Sequence, residues 1–163
     1  MTSASATKTD LKVEYINPVI TATKTVFETM LDCKVERTDL ILKENSALSY
    51  EVSGVIGISG KISGTIVLSL SHRTALEVLY RLVGTKTSVI DDEVCDAVGE
   101  LTNMIAGQAK AQLERYELSV SIPTIVTGRN HLIQYASNVK PMCILFDSGI
   151  GPFAIEVGFA SPN

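Results

Sequence analysis

Glu100 and Asn103 stand three residues apart in a stretch of helical periodicity that runs from about Asp91 to Leu113. Residues at that spacing are neighbours on a helix surface and project the same way, so the two side chains can act on one ligand together. A carboxamide offers an acceptor oxygen and two N–H donors, so Asn103 can hold a water by its oxygen while a donor faces an anionic oxygen. A carboxylate beside it is suited to pairing with a cation and ill suited to touching an anion directly. The chemistry open to such a pair is the positioning of a water for attack, with the carboxylate orienting a partner molecule.

The helix that must present them is divided by its own sequence. At about 100° per residue, Val94, Val98, Leu101, Ile105 and Ala109 share one side, which must be buried, while Asp96, Glu100, Asn103, Gly107 and Lys110 share the other. Gly99 and Gly107 lie inside this segment although each costs about 1 kcal/mol of helix stability relative to Ala. Close packing on a strand is one reason; the other is that missing side chains let another protein approach Glu100 and Asn103. The two glycines need not share a reason.

Other candidates read more simply. Asp91, Asp92 and Glu93 open the helix where its dipole favours negative charge, which explains them without a metal. His72 follows a helix cap and His131 falls in a loop or edge; neither has a second His or Cys at ligand spacing, and no nucleophile is evident beside either. Cys95 reads as a packing residue on the flank of the helix. The run Val52-Ser53-Gly54-Val55-Ile56-Gly57 lacks the Gly-Lys-Ser/Thr ending of a phosphate loop and reads as a twisted or bulged strand. Ser59-Gly60-Lys61 reads as a hairpin turn.

Around this helix the chain alternates in an orderly way. Asn17-Pro18 is expected to start a first helix, because Asn caps free N–H groups and Pro tolerates the first helical position; Val19, Ile20, Val26, Phe27, Met30 and Leu31 recur at its spacing. Strands are expected over Val35–Leu42, Ala47–Ile58 and Lys61–Leu70, then a short helix capped by Ser71 and ended by Gly84. After the long helix, strands are expected over Leu118–Val126, Pro141–Asp147 and Phe153–Ala160, with a turn at Asp147-Ser148-Gly149. Helix followed by three strands thus occurs twice. This predicts an α+β fold with a mostly antiparallel sheet, two long helices on one face and a pseudo-two-fold repeat.

The chain of 163 residues, 45% apolar and 20% charged, suits one domain over residues 11–163 after a flexible tail over residues 1–10. A net charge of -4 argues against a nucleic-acid partner. No run of about 18 apolar residues suggests a membrane span, and the first ten residues lack the apolar core of a signal peptide. Cys33, Cys95 and Cys143 are widely spaced and odd in number, so a cytoplasmic, reducing setting is expected.

Asp96-x-x-x-Glu100-x-x-Asn103, continued by Met104-Ile105-Ala106-Gly107-Gln108-Ala109-Lys110 and, a strand later, by Ser121-Ile122-Pro123-Thr124, resembles the signature of the CheC/CheX/FliY phosphatases of bacterial chemotaxis. Asn17-Pro18-Val19-Ile20 through Phe27-Glu28-Thr29-Met30-Leu31 resembles the first helix of the CheX branch, and the resemblance extends from about Tyr15 to the final strand. It implies hydrolysis of the aspartyl-phosphate of a CheY-like receiver, with Asn103 on the attacking water and Glu100 on the receiver's active-site Lys. Asp96, Gly99, Gly107, Lys110 and Pro123 are then expected at the receiver contact. The resemblance also implies Mg2+ in the receiver's pocket, no metal or cofactor in this chain, and a homodimer. From Pro18 to Leu31 the first helix holds no second Glu-x-x-Asn, as the single-site CheX branch leads one to expect. A non-catalytic module that binds a receiver or another signalling partner is the alternative.

Overall fold

A computed structural model describes residues 3–42 and 50–160, with side chains from residue 14 onward. The described residues form three α-helices, α1 (Ser3–Leu31), α2 (His72–Val83) and α3 (Asp92–Ala111), and seven strands. The strands are β1 (Val35–Leu42), β2 (Val52–Ser59), β3 (Ser63–Leu70), β4 (Ser119–Val120), β5 (Thr124–Thr127), β6 (Met142–Ser148) and β7 (Phe153–Ala160). All pairings are antiparallel, in the order β1-β6-β7-β3-β2, with both β4 and β5 on the outer side of β2.

That order carries the repeat expected from the sequence. Exchanging the two halves turns β1 into β4/β5, β2 into β6 and β3 into β7, and the list then reads backwards as itself. The last strands of the two halves, β3 and β7, pair at the centre over all eight residues, from Ser63↔Ala160 to Leu70↔Phe153. The helices pack on one face of this sheet, and Phe27 of α1 stacks on Phe153 of β7 with ring centroids 4.3 Å apart. Phe153 in turn stacks on Phe146 of β6 at 4.9 Å.

Four expectations need correction. Pro18 lies inside α1, which already runs from Ser3, within the stretch expected as a tail. Proline removes one N–H and strains the preceding turn; here burial of Tyr15 and Ile16 before it and of Val19, Ala22, Val26 and Phe27 after it holds the helix through that position. Met30, counted with the apolar stripe, is exposed. The strand expected over Leu118–Val126 is two strands, β4 and β5, interrupted at Ser121-Ile122-Pro123. The strand expected from Ala47 begins at Val52, and residues 47–49 lie outside the described residues.

The other boundaries follow their chemistry. Ser71 Oγ accepts from Thr74 N at 3.2 Å to cap α2, which ends at Gly84 with φ 75°. No helix among the described residues is long and apolar enough to cross a membrane.

Candidate active site

Asp91 sets the start of α3: its side chain accepts from Val94 N at 3.0 Å, and Asp92 and Glu93 occupy the first turn beside the positive end of the helix dipole. Val94, Val98, Leu101 and Ile105 are wholly buried and Ala109 nearly so. With that stripe locked against α1, α2 and β2, the opposite face has no freedom to rotate inward. Asp96, Glu100, Asn103, Gly107 and Lys110 all lie exposed along it.

Glu100 and Asn103 are therefore adjacent on solvent-facing helix, with Cβ atoms about 5–6 Å apart by helix geometry. Among the described residues neither side chain makes a hydrogen bond or an ion pair. The donor and acceptor groups of the amide and the charge of the carboxylate are thus available to a molecule arriving from outside. The helix beneath them is held by its buried side and pre-organised.

The two glycines of α3 part company. A Cβ on Gly107 would meet nothing within 4 Å, so the helix surface one turn beyond Asn103 is open. Gly99 is buried, and a Cβ there would lie 3.7 Å from Pro123 Cγ and 3.5 Å from Ile125 Cδ1. Its expected place at a partner contact is corrected: Gly99 lies under the β4–β5 segment and serves packing. Pro123 is half-buried against it.

The glycine on which α3 depends most was missed. Gly54 on β2 faces the helix, and a Cβ there would occupy the space of Thr102 Oγ1. Thr102 is buried and donates back to Val98 O at 2.6 Å, which uses up its hydroxyl within the helix. Nothing in the sequence marks Gly54 as the point of close approach, because Gly54 and Thr102 are brought together only by the packing of α3 on β2.

The remaining titratable groups belong to other parts of the fold. The Cys95 thiol is pushed up by burial and then by the charges of Asp92, Asp96 and Asp91, so it is held as a thiol and not as a nucleophile. His72 Nδ1 lies 3.1 Å from Glu51 Oε2 and its Nε2 3.2 Å from Ser88 O, which ties β2, α2 and the approach to α3 together. His131 has the hydroxyl partner that the sequence did not reveal: its Nε2 is 2.6 Å from Ser53 Oγ and its Nδ1 2.8 Å from Gly128 O. Ser53 is buried and also bonds Ser69 Oγ at 3.0 Å, so this chain fastens the segment after β5 to the sheet face away from the helices. Among the described residues no group of three or more His, Cys, Asp or Glu side chains could hold a metal ion.

Comparison with known proteins adds family and fold. The family described as "Chemotaxis phosphatase CheX" matches residues 52–147, which include β2, β3, α2, the whole of α3 and the β4–β5 segment. The CheY-P phosphatase CheX of Thermotoga maritima is 40% identical over 86 residues, covering 51% of this chain and 56% of that protein; the match thus spans little more than half of the relative's length. Among solved structures, a CheC-like superfamily protein from Shewanella sp. PV-4 superposes with a TM-score of 0.85 at 34% identity, covering 91% of this chain and 99% of that one. The CheX–CheY–BeF3–Mg2+ complex from Borrelia burgdorferi matches with a TM-score of 0.74 at 27% identity over 90% of this chain and 96% of that one.

Proposed function

This chain belongs to the CheX family of chemotaxis phosphatases, and from that premise we propose that it hydrolyses the aspartyl-phosphate of a CheY-like receiver with Asn103 and Glu100. The observation that carries the reading is the pair itself: adjacent, exposed and without partners among the described residues, on a helix whose other side is fully buried.

An acyl phosphate already has a good leaving group, so the protein has only to place a water in line with the scissile P–O bond and balance charge on the transferring group. Asn103 accepts a hydrogen bond from that water with its amide oxygen and presents an N–H to a phosphoryl oxygen. The water oxygen bonds to phosphorus, the bond to the receiver's carboxylate oxygen breaks, and the water's protons pass to phosphate and solvent. Receiver carboxylate and inorganic phosphate are the products. Glu100 pairs with the receiver's active-site Lys and so fixes the angle at which Asn103 enters.

The complex of the Borrelia burgdorferi relative with CheY supports a receiver as partner, and its Mg2+ supports a metal held on the receiver's side, where it neutralises phosphoryl charge. Asp96, Gly107, Lys110 and Pro123 border the same contact. Two copies associate as a homodimer through a sheet edge, of which β1 is the longer. The chain works in the cytoplasm, a reducing setting that keeps Cys33, Cys95 and Cys143 as thiols.

The test is the decay of a phosphorylated receiver from the same organism, with and without the protein and with Asn103→Ala. Acceleration that the substitution abolishes establishes the activity and its central residue. Tight receiver binding with no acceleration by the unaltered protein makes the chain a binding module instead.

A further inference from the structure

The break between β4 and β5 is a built feature. Val120 pairs with Ile58 and Thr124 pairs with Val55, so on β2 only Ile56 and Gly57 lie between the two pairings, while the outer strand has Ser121, Ile122 and Pro123. Three residues face two: the edge carries a β-bulge. Side-chain direction says the same. Val120 and Ile125 both pack against the core although they are five apart, an odd spacing that a regular strand would place on opposite faces.

The bulge is pinned at both ends. Ser121 N donates to Gly57 O at 2.9 Å, Gly57 N donates to Ser121 Oγ at 2.9 Å, and that hydroxyl donates to Ile122 O at 3.1 Å. Pro123 has a fixed φ and rests against Gly99 of α3. The residue left over is Ile122, 89% exposed, the most exposed of the large apolar side chains among the described residues. An isoleucine held rigidly in water at a bulged edge gains nothing for the folded chain itself. Burying it against another molecule is worth what hydrophobic transfer gives, with little ordering cost because its backbone is already fixed.

Its position names the occupant. Gly99, the α3 residue in contact with the neighbouring Pro123, is one helical turn before Asn103 and adjacent to Glu100, so a molecule seated on those two side chains reaches the bulge as well. A second copy adding a strand is a poorer fit here, because the bulge breaks the ladder and Pro123 offers no N–H. We infer that Ile122 is an apolar anchor for the receiver, which inserts it into an apolar recess beside the cation that meets Glu100. This rests on the phosphatase reading and adds the residue that supplies affinity apart from the chemistry.

The experiment measures receiver dephosphorylation against receiver concentration for the unaltered protein, Ile122→Ala, Ile122→Asp and, as a control, Leu132→Asp, an exposed apolar residue in the segment after β5. The half-saturating concentration should rise roughly ten-fold for Ile122→Ala and further for Ile122→Asp, at unchanged maximal rate, with the control unaffected. Circular dichroism and light scattering accompany each variant. Unchanged half-saturation in both Ile122 variants overturns the inference while leaving the phosphatase intact. A loss of self-association with unchanged half-saturation overturns it too and assigns Ile122 to a contact between copies. An unaltered protein that fails to accelerate decay overturns the phosphatase reading first, and receiver binding by the same variants then decides the anchor separately.

Discussion

At the residue scale, the proposed reaction divides its work between Asn103 and Glu100 by chemistry. Asn103→Ala keeps the helix and the exposed face but removes the group proposed to hold the water, so turnover should fall roughly 100-fold while receiver binding persists; stopped-flow decay against a binding titration separates the two. Glu100→Gln keeps size and removes charge. If the carboxylate meets a receiver cation, the half-saturating receiver concentration rises and its dependence on salt flattens, because an exposed pair is screened. A salt dependence identical to that of the unaltered protein would show that Glu100 has another role. Both residues were legible as a pair in the sequence, since their spacing and the apolar stripe opposite are local facts.

At the scale of the element, α3 is positioned by what is missing beneath it. Gly54→Ala drives a Cβ into Thr102, and overpacking of this kind costs about 1–3 kcal/mol in urea unfolding. Thr102→Ala in the same chain should recover part of that loss, a coupling that independent sites would not show. Gly99 and Gly107 behave differently. Alanine at either position fits without compression and should stabilise the protein by about 1 kcal/mol through helix propensity. Neither the Gly54–Thr102 approach nor the burial of Gly99 can be read along the chain. One needs the register of β2 under α3, and the other needs the β4–β5 bulge that folds Pro123 and Ile125 over the helix.

At the scale of the whole molecule, the sheet face away from the helices carries its own constraint. Tyr135 donates to Glu156 Oε2 at 3.1 Å, and Glu156 is buried in β7. Burial first, then the Glu156 charge and this hydrogen bond, push the Tyr135 phenol well above its ordinary value. The folded state therefore holds the phenol neutral. Its contribution to stability is full below the unfolded value of about 10 and falls as pH climbs beyond it. Denaturant unfolding at several pH values between about 8 and 11 should show the decline, and Tyr135→Phe should flatten it. The homodimer belongs to this scale as well: light scattering at micromolar concentration should give twice the chain mass, and a monomer would refute it.

The sequence by itself determined the α+β class, the two helix-plus-three-strands halves, the buried and exposed sides of α3 and its acidic start at Asp91, the caps at Ser71 and Gly84, and the adjacency of Glu100 and Asn103. Each follows from periodicity, capping chemistry or spacing within a few residues. Only the tertiary structure decided that Pro18 sits within a helix, that β3 and β7 meet at the centre, and that Gly54 admits Thr102. It also decided that the second half's first strand is bulged so that Ile122 stands in water beside α3. Those outcomes depend on contacts between residues far apart in the chain. Burial of a whole face can override a local propensity, and pairing against another strand sets where a register must slip.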